Sequence, residues 1–309
     1  MTTRILIDLP SNIGDAIMAL PCVDRLYAGF PGPQITAIVS SRIQELFQRD
    51  SFIDETIVFD KNWTFWEQLR FTMRLRGRFD VFVDFKNTLM PLVVNAPLSS
   101  RLHPGLAARS HTVNKYLNLT RRICPDQTCE KGTIRLSVEE KEKWDAGGIG
   151  DAVFFACSSR SHKKQYAKAS IKALAVLVAR KHQVVILGEE QDRAKHAGCQ
   201  DVKNVLDLTG QTGIGDIFYL LSRYGRLLVG VDSALMHIAS YLDVPAVTIF
   251  GPTDEKIFGP WGKKTLVLRK YDRPCDRCAA TLCHEPACMD IAPEKIAQAI
   301  EQMYESYRV

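Results

Sequence analysis

Three places in this 309-residue chain hold residue types at spacings that could do chemistry. Residues 229–253, VGVDSALMHIASYLDVPAVTIFGPT, read as a strand, a tight turn, a helix, a second strand begun at Pro245 and a Gly-Pro stop. The turn sets Asp232 and Ser233 at a helix N-terminus, where unsatisfied N–H groups and the helix dipole favour an anion such as a phosphate. The plainer reading is an ordinary capped helix with His237 half-buried beside Leu235, Met236 and Ile238. The second place is the loop Pro10-Ser11-Asn12-Ile13-Gly14-Asp15, leading from an apolar run into an amphipathic one. There Gly14 permits close backbone approach, and Asp15 is either an N-terminal helix charge or a carboxylate poised as a general base. The third is Cys275, Cys278, Cys283 and Cys288 around His284. Four thiolates can hold a tetrahedral zinc, but a second Cys-x2-Cys pair is absent, so a reduced Cys-rich loop is the preferred reading.

The surrounding pattern predicts what positions these residues. Apolar runs at 4–9, 34–40, 55–60 and 80–85 alternate with amphipathic stretches at 15–30, 41–50 and 63–78, a β-α-β-α order typical of a parallel sheet covered on both faces. A charged helix and the sequence GGIG at 147–150 then form an expected joint, after which the alternation restarts at DAVFFAC. A final helix is predicted at 293–307, with Pro293 in its first turn. The expected architecture is α/β: two doubly wound, Rossmann-like domains, 1–148 and 149–309, facing across a cleft. Ligands in such sheets gather at the carboxyl ends of the strands, where the first loop and the GVDS turn should both lie.

Composition narrows the function classes. With 46% hydrophobic and 24% charged residues the chain reads as a globular protein, and nine scattered cysteines do not suit an extracellular disulfide framework. MTTRILIDLP lacks the apolar core of a signal peptide, which leads us to expect a cytoplasmic protein. Net charge is only +5, yet residues 61–122 hold 11 Lys or Arg against 3 Asp or Glu. Such a stretch suits an anionic partner or, equally, a solvated helical face in which Arg70, Arg74 and Arg78 align.

LPSNIGDAIMALPCVDRL near the start, and LTGQTGIGDIFYLLSRYGRLLVGVDSALMHIASYLDVPAVTIFGPTD from Leu208 to Asp254, resemble glycosyltransferase family 9. Those are the ADP-heptose:lipopolysaccharide heptosyltransferases, two-domain enzymes of GT-B fold, and the Cys-rich loop resembles one in type II members. The resemblance implies that Asp15 is the catalytic base. It implies a donor site at Asp232, Ser233, Ala234, Leu235 and His237, in which Ala234 replaces the family's usual Gly. The family's Lys-x-Trp-Pro motif falls on Lys164-Gln165-Tyr166-Ala167, with Lys163 as a rival one residue away. Lys164 would then face the leaving diphosphate, with Ser158 and Ser159 as hydroxyl donors. Glu190, among Glu189, Glu190 and Asp192, is preferred as the ribose-binding carboxylate.

The implied reaction is a single inverting displacement with ADP as leaving group, needing no cofactor. Asn12 and Gly14 would line the acceptor side, in the N-terminal domain. Lys86, Arg101 and Arg109 would meet the carboxylates and phosphates of a lipopolysaccharide inner core, either Kdo-lipid A or its heptosylated form, in peripheral contact with the membrane. Alternatives are a family 9 transferase with another nucleotide sugar or glycan acceptor, and a non-catalytic nucleotide- or nucleic-acid-binding protein. Asp15 in its Gly-Asp loop argues against the latter, since a binder has no need of that carboxylate, and no nucleic-acid partner is expected.

Overall fold

Ile5, Leu6, Ile7 and Asp8 are all buried in the first strand, β1 (Thr3–Asp8). A run hidden on both faces is what an interior parallel strand requires. The computed structural model describes residues 2–100, 110–124, 129–272 and 287–306. In it the chain divides into two units, Met1–Arg135 and Leu136–Val309.

In the first unit β1 is followed by α1 (Ile13–Gly29), β2 (Pro33–Val39), α2 (Gln44–Gln48), β3 (Glu55–Val58), α3 (Phe65–Arg74), β4 (Val81–Asp84), α4 (Met90–Val94), β5 (Leu98–Ser99) and α5 (Thr112–Arg121). The strands form one parallel sheet in the order β3-β2-β1-β4-β5. The order reverses between β1 and β4, so the loops leaving these two strands diverge and open a crevice at their carboxyl ends. Two helices are shorter than their periodicity suggests. In α2 the expected 41–50 shrinks to five residues, because Asp50 leaves the helix to bridge Ile134 and to accept from the N–H of Phe52. α3 starts on a Thr64/Glu67 capping box and stops before Gly77, which takes a left-handed φ of 66°. Arg78 therefore lies outside α3, and the expected three-arginine stripe reduces to Arg70 and Arg74.

The second unit runs α6 (Val138–Asp145), β6 (Ala152–Ala156), α7 (Lys168–Val178), β7 (Gln183–Ile186), α8 (Arg193–His196), β8 (Val205–Asp207), α9 (Ile214–Tyr224), β9 (Gly225–Val231), α10 (Ala234–Tyr241), β10 (Ala246–Phe250), α11 (Glu255–Phe258), β11 (Thr265–Arg269) and α12 (Pro293–Ser306). Its parallel sheet has the order β11-β10-β9-β6-β7-β8, with the reversal between β6 and β9. Both units are thus doubly wound α/β sheets, as expected.

The division at Arg135 lies upstream of the glycine segment at 147–150. Arg135 still donates its N–H to the carbonyl of Arg49 at 2.7 Å, in the first unit. α6, by contrast, is fastened to α9: Trp144 Nε1 donates to Asp216 Oδ1 at 2.7 Å, and Tyr219 and Tyr224 both donate to Asp145. Gln183 of β7 holds Gly148 and Gly150 through their backbone groups. The glycine segment falls within the second unit and is pinned to its sheet.

Candidate functional site

In the first unit, the loop after β1 delivers Asn12 to the N-cap of α1 and Asp15 to its first turn. Asn12 Nδ2 donates to Asp15 Oδ2 at 3.2 Å, and Gly14 and Asp15 are half-buried. Asp15 thus has one oxygen oriented by its neighbour.

Beside this loop lies a cluster the sequence reading missed. Asp8 and Asp84 end β1 and β4 and face each other in the parallel register. Both are buried, and Lys86 Nζ reaches Asp8 Oδ1 at 2.6 Å. Asp84 accepts from the N–H groups of Lys86 and Thr88 and from the Thr88 hydroxyl, folding the loop back on itself. Burial pushes the Asp8 carboxyl up to about 7, against the pull of Lys86 and helped by the charge of Asp84. The only sequence signal was an Asp closing each of two apolar runs, ILID and FVD. Lys86, expected to face an anionic acceptor, is turned inward to Asp8 and lies over the Phe59 ring. Arg101 and Arg109, its expected companions, lie outside the described residues.

In the second unit, β6 and β9 send their carboxyl ends to the reversal point. After β6 come Cys157, Ser158 and Ser159, then a 3-10 turn at His162–Lys164. After β9 come Asp232 and Ser233, then α10. The two segments meet through Lys164 Nζ and Asp232 Oδ2 at 2.6 Å, with side-chain exposures of 27% and 8%. Lys164, and not the rival Lys163, makes this contact. Tyr166, standing where the family motif has Trp, is buried and donates its hydroxyl to the Ile291 carbonyl at 2.5 Å. It anchors the lysine turn to the segment that precedes α12.

Ser233 is the N-cap residue of α10, with an extended backbone. Its side chain does not cap the helix, and Oγ is buried with no partner among the described residues. Ala234 is the first helical residue and needs no positive φ, so its methyl group is compatible with the turn. Leu235 is half-buried beside it. His237 is 4% exposed and stacks on Trp261, with ring centroids 5.5 Å apart. Met236 and Tyr241 are buried core residues. Free N–H groups, the helix dipole, a lysine and an unpartnered hydroxyl make this end of α10 suited to a diphosphate.

Glu190 is exposed and held by Arg193, with both oxygens at 2.6 Å from guanidinium nitrogens. That contact keeps its carboxyl below the usual range. Glu189 is similarly paired with Arg160, and buried Asp192 with Lys195. Each acid of this segment is therefore already paired with a cation. A further unanticipated group stands next to Ser158. His196, fully buried, lies 3.1 Å from Ser158 Oγ through Nε2 and 2.7 Å from Thr209 Oγ1 through Nδ1.

Cys275, Cys278 and Cys283 lie outside the described residues, while Cys288 is buried in the apolar core with Met289 and Ile291. Among the described residues, no group of three or more His, Cys, Asp or Glu is placed to hold a metal ion. No described helix is long and apolar enough to cross a membrane.

Residues 95–288 match the family model for glycosyltransferase family 9 (heptosyltransferase). A lipooligosaccharide heptosyltransferase 2 of Campylobacter jejuni subsp. jejuni is 22% identical over 322 aligned positions, covering 97% of this chain and 99% of the relative. Among solved structures, the E. coli ADP-heptose LPS heptosyltransferase II has a TM-score of 0.77 at 20% identity, covering 99% of this chain and 100% of that one. A family 9 glycosyltransferase from Veillonella parvula has a TM-score of 0.79 at 19% identity, covering 98% and 97%.

Proposed function

Since the chain belongs to glycosyltransferase family 9 (heptosyltransferase), we propose that it moves heptose from ADP-heptose to the lipopolysaccharide inner core with inversion at the anomeric carbon. The observation that carries this reading is the pairing of Lys164 with Asp232 where the N-terminus of α10 meets the loop after β6. A cation, an unpartnered Ser233 hydroxyl and free helix N–H groups suit the diphosphate of a nucleotide sugar.

In the reaction, the acceptor hydroxyl oxygen forms a bond to the anomeric carbon as the bond from that carbon to the diphosphate oxygen breaks. The hydroxyl proton passes to Asp15, and ADP carries away the electron pair. Asn12 orients Asp15 from the N-cap of α1. Lys164 and the first N–H groups of α10 offset the charge growing on the leaving oxygen. Ser158, Ser159, Leu235 and His237 complete the donor subsite, and Glu190 approaches the ribose together with its partner Arg193. In this scheme the first unit takes the acceptor and the second the donor. The proposed reaction uses protein groups and the two substrates and requires no cofactor.

A peripheral membrane contact in the cytoplasm is part of the same proposal. α3 exposes Phe65, Trp66 and Met73 at 70%, 74% and 47%, and the neighbouring α4 segment exposes Leu89 and Leu92 at 63% and 74%. Arg70 and Arg74 lie on α3 itself and are exposed. Aromatic and aliphatic side chains interleaved with arginines suit the headgroup boundary of an anionic bilayer.

The test is heptose transfer from ADP-heptose to defined Kdo-lipid A and heptosyl-Kdo-lipid A, with other nucleotide sugars in parallel and Asp15→Asn as the control. Transfer should fall about 10²- to 10⁴-fold in Asp15→Asn, with ADP affinity unchanged. Full activity of that variant refutes the base, and faster turnover of another nucleotide sugar refutes the donor.

A further inference from the structure

Ser158 and Ser159 follow β6 side by side, yet their hydroxyls stand in different situations. The Ser159 hydroxyl makes no hydrogen bond among the described residues, and its backbone carbonyl is held by Gln165 Nε2 at 2.6 Å. Ser158 Oγ instead begins a chain running inward across the ends of three strands: to His196 Nε2 at 3.1 Å, from His196 Nδ1 to Thr209 Oγ1 at 2.7 Å, and from Thr209 Oγ1 to Asp207 Oδ1 at 2.5 Å.

The direction of every proton in this chain follows from its inner end. A carboxylate only accepts, so the single Thr209 hydroxyl proton points to Asp207. Thr209 Oγ1 must then accept from the ring, which puts a proton on His196 Nδ1. The ring is fully buried, and burial lowers its pKa against the opposing charges of Asp207 and Asp192, with Lys195 acting in the same sense as burial. A neutral ring with its proton on Nδ1 has only a lone pair on Nε2, and that lone pair accepts a hydrogen bond from the Ser158 hydroxyl. The site is built around the ring: Gly188 after β7 leaves the space, since a Cβ there would come within 2.9 Å of His196 Cε1.

Building on the donor-site reading, we propose that His196, through Thr209 and Asp207, is a positioning residue that fixes Ser158 as a hydrogen-bond acceptor. Ser158 then takes a hydroxyl of the nucleotide sugar, and Ser159 is left to donate to its phosphates. A phosphate oxygen carries no proton for Ser158 to accept. With a neutral ring, Ser158 could donate to phosphate only if the ring proton moved to Nε2. Thr209 would then have to turn its proton to Nδ1, leaving Thr209 Oγ1 and Asp207 Oδ1 in contact with no proton between them.

Two measurements test this. Long-range ¹H–¹⁵N correlation on the histidine rings, with His196 assigned by its loss in His196→Gln, reads the tautomer in the ligand-free protein. A neutral ring protonated on Nδ1 is expected at pH 7.5, and Thr209→Val should disturb it while Thr209→Ser keeps it. A ring protonated on Nε2, or doubly protonated, overturns the relay. Calorimetry with ADP, its 2′-deoxy and 3′-deoxy forms and ADP-heptose then identifies the ligand group. Ser158→Ala should weaken binding about tenfold for a ligand that carries the relevant hydroxyl, the effect of losing one hydrogen bond. If the hydroxyl is on the ribose, one deoxy nucleotide loses its sensitivity to Ser158→Ala. If it is on the sugar, only ADP-heptose is sensitive. Thr209→Val should weaken the same ligand several-fold, and have no further effect in the Ser158→Ala background. An equal Ser158→Ala penalty for ADP and both deoxy forms, or none for any ligand, overturns the hydroxyl assignment. Failure of all four nucleotides to bind the wild-type protein sinks the donor-site reading instead, and the ring spectrum still decides the relay.

Discussion

Removing the charge of Lys164 while keeping its stem, as in Lys164→Met, separates what this residue does for folding from what it does for the reaction. Its partner Asp232 is 8% exposed in its side chain, so the variant leaves a carboxylate in a largely dry place. Breaking a fully buried pair costs about 3–5 kcal/mol, whereas exposed pairs contribute about 0–1 kcal/mol. The Lys164 side chain is 27% exposed, so water can enter where the ammonium stood, and the expected cost lies between these, at about 1–2 kcal/mol. Asp232→Asn should cost less than about 1 kcal/mol, because the released lysine can turn to solvent. The double variant should return to within about 0.5 kcal/mol of the parent, since neither charge is then stranded. Turnover should behave differently. Both Lys164→Met and the double variant should lose about 10²- to 10³-fold in kcat with ADP-heptose, because the leaving diphosphate loses its cation in each. Chemical denaturation followed by tryptophan fluorescence, together with initial rates on the same preparations, reads both quantities. Wild-type kcat in Lys164→Met would refute the leaving-group role. A stability loss that Asp232→Asn does not relieve would refute the electrostatic account of the pair.

Other expectations follow from particular contacts. Asp8 has a folded pKa near 7 against 3.8 for the unfolded chain, so the folded state holds the extra proton between these values. Its contribution to stability is complete below about pH 4 and is lost as pH rises to about 7. Asp8→Asn should flatten that slope in denaturation curves from pH 4 to 8, and an unchanged slope would place the proton elsewhere. Gly210 has a φ of 74°, and a Cβ there would sit 2.0 Å from Glu190 Oε2 and 3.1 Å from Glu190 Cα. Gly210→Ala should therefore cost about 1–3 kcal/mol and displace Glu190 from Arg193, visible as a lower thermal midpoint together with weaker ADP binding. Trp66→Ser with Leu92→Ser should reduce sedimentation with anionic vesicles about tenfold or more, as expected for two exposed apolar side chains, while transfer to a soluble, lipid-free acceptor is unchanged. Equal sedimentation of variant and parent would exclude this face.

The doubly wound class was legible in the order of apolar runs, because burial on both faces of a parallel sheet leaves its mark within six or seven residues. The helix start at Ser233 and the carboxylate in the first turn of α1 were legible for the same reason: a helix start is written in its first few residues. Lys164 was suggested only through the resemblance to the family's Lys-x-Trp-Pro motif, with Lys163 as a rival one residue away. Contacts across the sheets were not legible. Arg78 drops out of α3 at a left-handed glycine, and α6 joins the second unit because Trp144 and Asp145 find partners on α9. Asp8 meets Lys86 across 78 positions, Lys164 meets Asp232 across 68, and Ser158 meets His196 across 38. Periodicity reports only which face of an element a residue occupies. Which carboxylate stands beside which lysine, and which ring nitrogen faces which serine, depend on the order in which strands lie side by side, and only the folded sheets decide that.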